Sequence, residues 1–163
     1  MQKLSDIYHV RPLTPKDIPC VLKLCKTNPD YYKHCPPNPT AKTIEKDMVA
    51  LPPKTSEKNK NYVGFFKGNE LTAIMDLILN YPDDKTCFIG LFMVDKKYQN
   101  QGIGSEIIQN VLGYLKKSYK NVQLGYVAGN EQSKNFWLKN GFKETGKEYK
   151  QPKYLVEVME KVL

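Results

Sequence analysis

The chain lacks any long apolar run. Among its 163 residues the longest such stretch is Phe88-Ile89-Gly90-Leu91-Phe92-Met93-Val94, whereas a membrane-spanning helix needs about 20 apolar residues. The opening residues Met1-Gln2-Lys3-Leu4-Ser5-Asp6 hold no apolar signal region. The expectation is a cytoplasmic protein with no membrane contact. Paired cysteines are also lacking. Cys20, Cys25, Cys35 and Cys87 show none of the two-residue spacings of zinc knuckles or redox pairs. No metal is therefore expected, and the thiols read as reduced and mostly buried. Histidine is scarce: His9 and His34 both lie near the N-terminus, beside no nucleophile motif. That argues against serine-type covalent catalysis, and Cys87 reads better as a core thiol than as a nucleophile.

Arginine is nearly absent. The net charge is +8, yet Arg11 is the only arginine among 25 basic residues. Guanidinium is the usual tool for bidentate phosphate and base contacts. The lysines are scattered, with no run longer than two. A solvated lysine surface fits better than a nucleic-acid interface, so no nucleic-acid partner is expected, although a basic nucleic-acid-binding domain is kept as an alternative. A polyanionic nucleotide cofactor would gain from the same field.

What is present suits one domain, residues 1–163, with a single core. Nine of the 11 prolines lie at or before Pro53. Thr14-Pro15-Lys16-Asp17 is a capping-box start, followed by an apolar stripe of Ile18, Val21, Leu22 and Cys25. Thr40 opens a second helix with Ile44, Met48 and Leu51 on one face, ended by Pro52-Pro53. Between them Lys26 to Pro39 reads as a loop carrying Tyr31 and Tyr32. A lid over a binding site and a plain surface connection both fit such a loop. Strands are expected at Asp6–Leu13, at Asn61–Lys67 and Leu71–Asn80 around Gly68-Asn69, and at Thr86–Val94, which is apolar on both faces and so central. Helical spacing of Ile103, Ile107, Ile108, Val111, Leu112 and Leu115 predicts a helix. Val122–Val127 is a strand, and Asn130–Lys139 a helix closed by Asn140-Gly141. Phe142–Tyr149 and Lys153–Val162 complete the strands.

The segment from Val94 to Ser105 carries the chemistry. A buried strand ends, and Gln99-Asn100-Gln101-Gly102-Ile103-Gly104 opens an amphipathic helix. Glycines at a helix mouth let the backbone close on a ligand and aim free N–H groups at one point. With the helix dipole these form an anion site suited to a pyrophosphate. A P-loop would need Gly-Lys-Ser/Thr, which is absent; a dinucleotide loop would need a third glycine where Ile107 stands. The remaining pattern, Gln/Arg-x-x-Gly-x-Gly/Ala, matches directly at Gln99, Gly102 and Gly104.

On that loop the sequence resembles the GNAT superfamily of N-acetyltransferases. A second motif agrees: Asn130-Glu131-Gln132-Ser133-Lys134-Asn135-Phe136-Trp137-Leu138-Lys139-Asn140-Gly141-Phe142 is similar to the family's Asn-x-x-Ala-x-x-Phe-Tyr-x-x-x-Gly-Phe. The resemblance implies an α/β (α+β) fold: a single domain with a mixed, mostly antiparallel sheet of about seven strands, flanked by about four helices. Its parallel central pair, Thr86–Val94 with Val122–Val127, would splay to form a cofactor cleft. It implies acetyl-CoA as co-substrate and a primary amine, in a small molecule or a peptide, as acceptor. A homodimer is compatible with it, and a non-catalytic acyl-CoA sensor is a further alternative. Gln99 belongs to the family's cofactor motif. Gln101, Gly102, Ile103, Gly104 and Ser105 would offer N–H groups to the pyrophosphate. Met93 and Val94 would pair with the pantetheine through the backbone, Asn130 would touch its arm, and Phe136 and Trp137 would pack along it. Trp137 replaces the family's tyrosine, and an indole N–H cannot serve as the acid for a leaving thiolate. Tyr126 is the substitute considered.

The amine must lose a proton to attack. Asp76, alone in the apolar run Leu71–Leu79, is the favoured base, because a carboxylate there is costly unless it faces a cleft or a partner. Glu131 is weaker, since the dipole explains an acid in a first helical turn. Tyr31 and Tyr32, in the least family-like part of the chain, are candidates for acceptor contacts.

Overall fold

The computed structural model describes residues 3–163; Met1 and Gln2, part of the segment read above for a leader, lie outside the described residues. Among the described residues seven strands form one sheet: β1 (His9–Pro12), β2 (Lys60–Lys67), β3 (Glu70–Ile78), β4 (Thr86–Val94), β5 (Asn121–Val127), β6 (Lys143–Lys150) and β7 (Leu155–Val162). Five helices flank it: α1 (Ile18–Lys26), α2 (Pro29–His34), α3 (Ala41–Val49), α4 (Ile103–Leu115) and α5 (Glu131–Lys139). The strand order is β1-β2-β3-β4-β5-β7-β6. Every neighbouring pair is antiparallel except β4 with β5.

That parallel pair decides the architecture. It runs only from Thr86↔Asn121 to Ile89↔Leu124, while β4 continues to Val94 and β5 to Val127. On its other edge β4 stays paired to β3, but with a register shift: Asp76 faces Leu91 and Leu77 faces Ile89. Gly90 is therefore the extra residue of a bulge, and a bulge bends its strand locally. The bend falls where the parallel pairing stops, so β4 and β5 part beyond it.

Each face of the sheet has its own apolar cluster. Ile107, Ile108, Val111, Leu112 and Leu115 present the buried stripe of α4, joined by Trp137 of α5, to Val63, Phe65, Met75, Ile89 and Leu124. On the other face Val21, Leu24 and Cys25 of α1 and Ile44 of α3 meet Tyr62, Phe66, Leu71, Ile74 and Met93. Helical spacing in the sequence placed these stripes because burial of one face is what stabilises such helices.

Three expectations change. The first strand starts at His9, not Asp6, because the Ser5 hydroxyl accepts from the N–H groups of Ile7 and Tyr8 (both 3.1 Å) and folds that stretch into a turn. The Lys26–Pro39 loop contains α2. Pro29 stands in its first turn, where a missing N–H costs nothing, with Asp30 early and Lys33 and His34 late along the dipole. Cys20 is exposed and Cys35 half-buried, while Cys25 and Cys87 are buried. No helix among the described residues is long and apolar enough to cross a membrane.

Ile108 is fully buried beneath the sheet. Ile108→Ala is expected to cost about 2–5 kcal/mol in urea unfolding, through lost transfer energy and the cavity left behind. An unchanged denaturation midpoint would contradict the packing described.

Candidate active site

A cavity of about 520 Å³ opens where β4 and β5 part. Its walls come from four segments: Thr27–Tyr31 at the α1–α2 junction, Phe92–Val94 at the end of β4, the loop from Lys96 into α4, and α5 from Asn130 to Lys139.

The glycine loop forms one wall. Asn100 (φ 60°) and Gly102 (φ 80°) are both left-handed, which turns the chain sharply into α4. The first helical hydrogen bond runs from the Glu106 N–H to the Gly102 carbonyl (2.9 Å). The N–H groups of Ile103, Gly104 and Ser105 thus have no partner inside the helix. A Cβ built on Gly102 would meet nothing within 4 Å, whereas one on Gly104 would lie 3.1 Å from the Phe136 ring. Gly104 is therefore where loop and aromatic wall touch most closely. Lys96 and Lys139 add positive charge to the lining, and the Ser105 hydroxyl accepts from Asn140 (3.1 Å).

The β4 wall follows from register. The Asp95 N–H donates to the carbonyl of Thr72 opposite (2.9 Å). By the alternation of antiparallel ladders, Ile74↔Met93 is also a hydrogen-bonded pair, while Ala73↔Val94 and Met75↔Phe92 are not. The backbone groups of Phe92 and Val94 hence face the splay. Those of Met93 are committed to β3, which corrects the expectation that Met93 pairs with a ligand through its backbone; its side chain still lines the cavity.

The aromatic wall is continuous. Phe92 stacks on Phe136 (centroids 5.9 Å apart), Phe136 meets Trp137 edge-on (5.0 Å), and Trp137 meets Phe142 likewise (5.2 Å). Asn130 is buried and caps α5 by accepting from the Ser133 N–H (3.1 Å), and it too lines the cavity.

The candidate site residues divide accordingly. The cavity brings together Met93, Val94, Gln99, Gly102, Gly104, Ser105, Asn130, Phe136, Trp137 and Tyr31. Ile103 packs instead against the core, and Gln101 turns its amide to the Lys97 carbonyl (2.7 Å). Tyr32 stands behind Tyr31, edge-on at 5.0 Å, in the α1–α3 core. Burial, then the nearby Cys35 thiol, Tyr154 and Asp47, hold the Tyr31 phenol well above its ordinary pKa.

Tyr126 lies outside the lining. Its hydroxyl donates to Glu144 (2.8 Å) and also contacts Glu157. Burial and these two carboxylates push its pKa up, so the geometry does not favour it as a proton donor. Asp76 is also outside the lining, on β3 opposite Leu91. Its Oδ2 accepts from Lys60 (2.9 Å), and its Oδ1 is buried without a partner. A Cβ on Gly90 would come within 2.8 Å of that Oδ2, so the carboxylate lies over the bulge where the strands part. Burial raises its pKa, with Asp47 adding to the rise and Lys60 opposing it. Sequence reasoning missed Thr27, Asn28, Phe92, Lys96 and Lys139. Only Phe92 had a readable signal, its two-residue spacing from Val94 along β4.

A family model described as the acetyltransferase (GNAT) family matches residues 26–142. No curated protein matches the chain by sequence. An acetyltransferase of Thermus thermophilus is 20% identical with a TM-score of 0.78, over 100% of both chains. An acetyl transferase of Salmonella typhimurium that modifies the N-terminal serine of ribosomal protein L7/L12 gives 16% and 0.75, over 99% of this chain and 98% of that one. The ribosomal L7/L12 α-N-protein acetyltransferase RimL, solved in complex with coenzyme A, gives 16% and 0.69, over 99% and 97%. At such identities these likenesses speak to the fold alone. The family match spans most of the chain and includes the glycine loop, the splayed strand and the aromatic helix that build the cavity: the chain belongs to the GNAT family of acetyltransferases.

Proposed function

We propose that the chain transfers an acetyl group from acetyl-CoA directly to a primary amine, with both substrates held in one ternary complex. The observation that carries this reading is the pair of N–H groups without a helical partner at Gly104 and Ser105, with that of Ile103 beside them, on a cavity shared with the end of the splayed β4. The residues present fit the co-substrate. The α4 amides and dipole, with Lys96 and Lys139, suit a pyrophosphate. The backbone groups of Phe92 and the N–H of Val94 suit the amides of a pantetheine arm, which Asn130, Phe136 and Trp137 would flank; the Val94 carbonyl is taken by Asn28 and Gln99.

Acetyl-CoA supplies an activated thioester. The chain's part is to align the amine with it and to manage protons. Asp76 is proposed as the base, taking the amine proton directly or through water beside the Gly90 bulge. Amide N–H groups facing the splay near Phe92 would steady the oxyanion. Trp137 cannot protonate the thiolate and Tyr126 is held by two carboxylates, so water is proposed as the proton source. A small-molecule amine or a peptide amine is the proposed acceptor, approaching past Tyr31.

Acetyl-CoA at about 100 times its dissociation constant is expected to stabilise the fold by roughly 2.7 kcal/mol, read as a rise in Tm. A folded Gly104→Asp variant, whose side chain would press on Phe136 and put a carboxylate among the phosphate-facing amides, should show no such rise. A parent that does not respond removes the basis of the proposal. Binding without turnover of any amine would make the protein a sensor instead.

Asp76→Asn is expected to lower kcat/KM by about 10²–10⁴-fold, the usual range for a positioned base. A raised carboxyl pKa means that the base form accumulates only above the ordinary Asp range, near 4. The parent's kcat/KM should rise with pH through that shifted value, and this acidic limb should vanish in the variant. Unaltered activity and an unaltered limb would remove Asp76 from the mechanism.

A further inference from the structure

Gln99 does not reach into the cavity with its amide. Both donors of its Nε2 are used inside the protein, on the Asn28 Oδ1 (2.6 Å) and the Val94 carbonyl (2.9 Å). The Asn28 Nδ2 also points to the Val94 carbonyl (3.1 Å), with the Thr27 hydroxyl (3.1 Å) and Leu24 carbonyl (3.3 Å) close by. The Thr27 hydroxyl donates to the Leu24 carbonyl (2.7 Å) and accepts from the Lys96 N–H (3.1 Å). These side-chain hydrogen bonds converge on two residues, Thr27 and Asn28, at the junction of α1 and α2. They tie that junction to the last residue of β4 and to the start of the glycine loop, 66 to 71 positions later in the chain.

Where these bonds fall matters as much as how many there are. Val94 is the residue whose backbone groups face the splay, and its carbonyl is taken by the two amides. Asn28 also stands immediately before Pro29, at the N-cap position of α2. Helix α2 is six residues long, too short to persist by itself, and Pro29, Asp30 and Tyr31 line the cavity opposite the loop. Its seat therefore depends on what holds its first residues.

We infer that Asn28, through Gln99 and the Val94 carbonyl, is a positioning residue that locks α2 to the glycine loop, so that a ligand ordering the loop also orders the acceptor-side wall. This rests on the acyl-CoA reading of the cavity. The amides have one complementary arrangement: Asn28 presents an acceptor to Gln99 and a donor to Val94. Asn28→Asp keeps the acceptor for Gln99 but replaces the Asn28 donor with a carboxylate oxygen facing the Val94 carbonyl. Gln99→Ala breaks the same bridge from the loop side. The linkage is reciprocal, since a ligand can favour the ordered wall only by as much as the ordered wall favours the ligand.

The test uses coenzyme A as the probe, with binding read by calorimetry and backbone order by amide hydrogen exchange. In the parent, coenzyme A should slow exchange both in the loop and over residues 29–35. In Asn28→Ala and Asn28→Asp, affinity should fall roughly tenfold, the loss expected when about one net hydrogen bond is broken. The loop should still gain protection when saturated, while residues 29–35 should not. Gln99→Ala should act in the same direction, and the double variant Asn28→Ala/Gln99→Ala should lose more than either single one but less than their sum, because the two share the Asn28–Gln99 bond while each single variant leaves the Val94 carbonyl one amide donor. A saturated Asn28→Ala protein that protects residues 29–35 as the parent does would overturn the lock, as would additive losses. A parent that does not bind coenzyme A would instead defeat the acyl-CoA reading itself, so the two failures are separable.

Discussion

The structure depends on a hydrogen-bond ladder that stops early. β4 and β5 share only the stretch from Thr86 to Ile89 on one strand and Asn121 to Leu124 on the other. Beyond it each strand keeps its outer partner, β3 or β7, and the inner edges are left without each other. Backbone polar groups so placed need a partner. Part of the demand is met within the protein, where Asn28 and Gln99 satisfy the Val94 carbonyl; the rest faces the cavity. The bulge at Gly90 is the local cause, because one extra residue in β4 bends it away from its neighbour.

Around that opening the parts do separable work. The α4 mouth contributes direction, with amides and a dipole converging on one region. The Phe92-Phe136-Trp137-Phe142 series contributes a rigid apolar wall and ties α5 to the core beneath. The basic composition reaches the site through Lys96 and Lys139, so a positive field that looks diffuse in the sequence has a local representative at the cavity. Asp76, paired with Lys60 yet with one oxygen unpartnered, is the carboxylate brought to the point where the strands part.

The fold was legible where periodicity and caps agree. The stripe of Ile107, Ile108, Val111, Leu112 and Leu115 admits one helix face, and the doubly apolar Thr86–Val94 admits a central strand. The glycine loop was legible because few residues other than glycine tolerate such torsions and close approaches. The α2 helix was not, since six residues seated by tertiary contacts carry too little pattern, and prolines that read as breakers include Pro29, which begins the helix. Met93 was misplaced for a related reason: alternation shows that Met93 and Val94 differ in the side they face, but not which of them faces the cleft.

The sequence by itself determined the domain's class, the order of its strands and longer helices, and the glycine loop at the mouth of α4, because these follow from local torsional preference and from periodic burial. Only the tertiary structure decided the register of β3 against β4. With it came which backbone groups meet the cavity, that Asp76 lies over Gly90, and that Tyr126 is held by Glu144 and Glu157. It likewise decided that Asn28 and Gln99 would meet across 71 positions of chain. Those pairings are set by non-local hydrogen bonds, and no single segment carries their pattern.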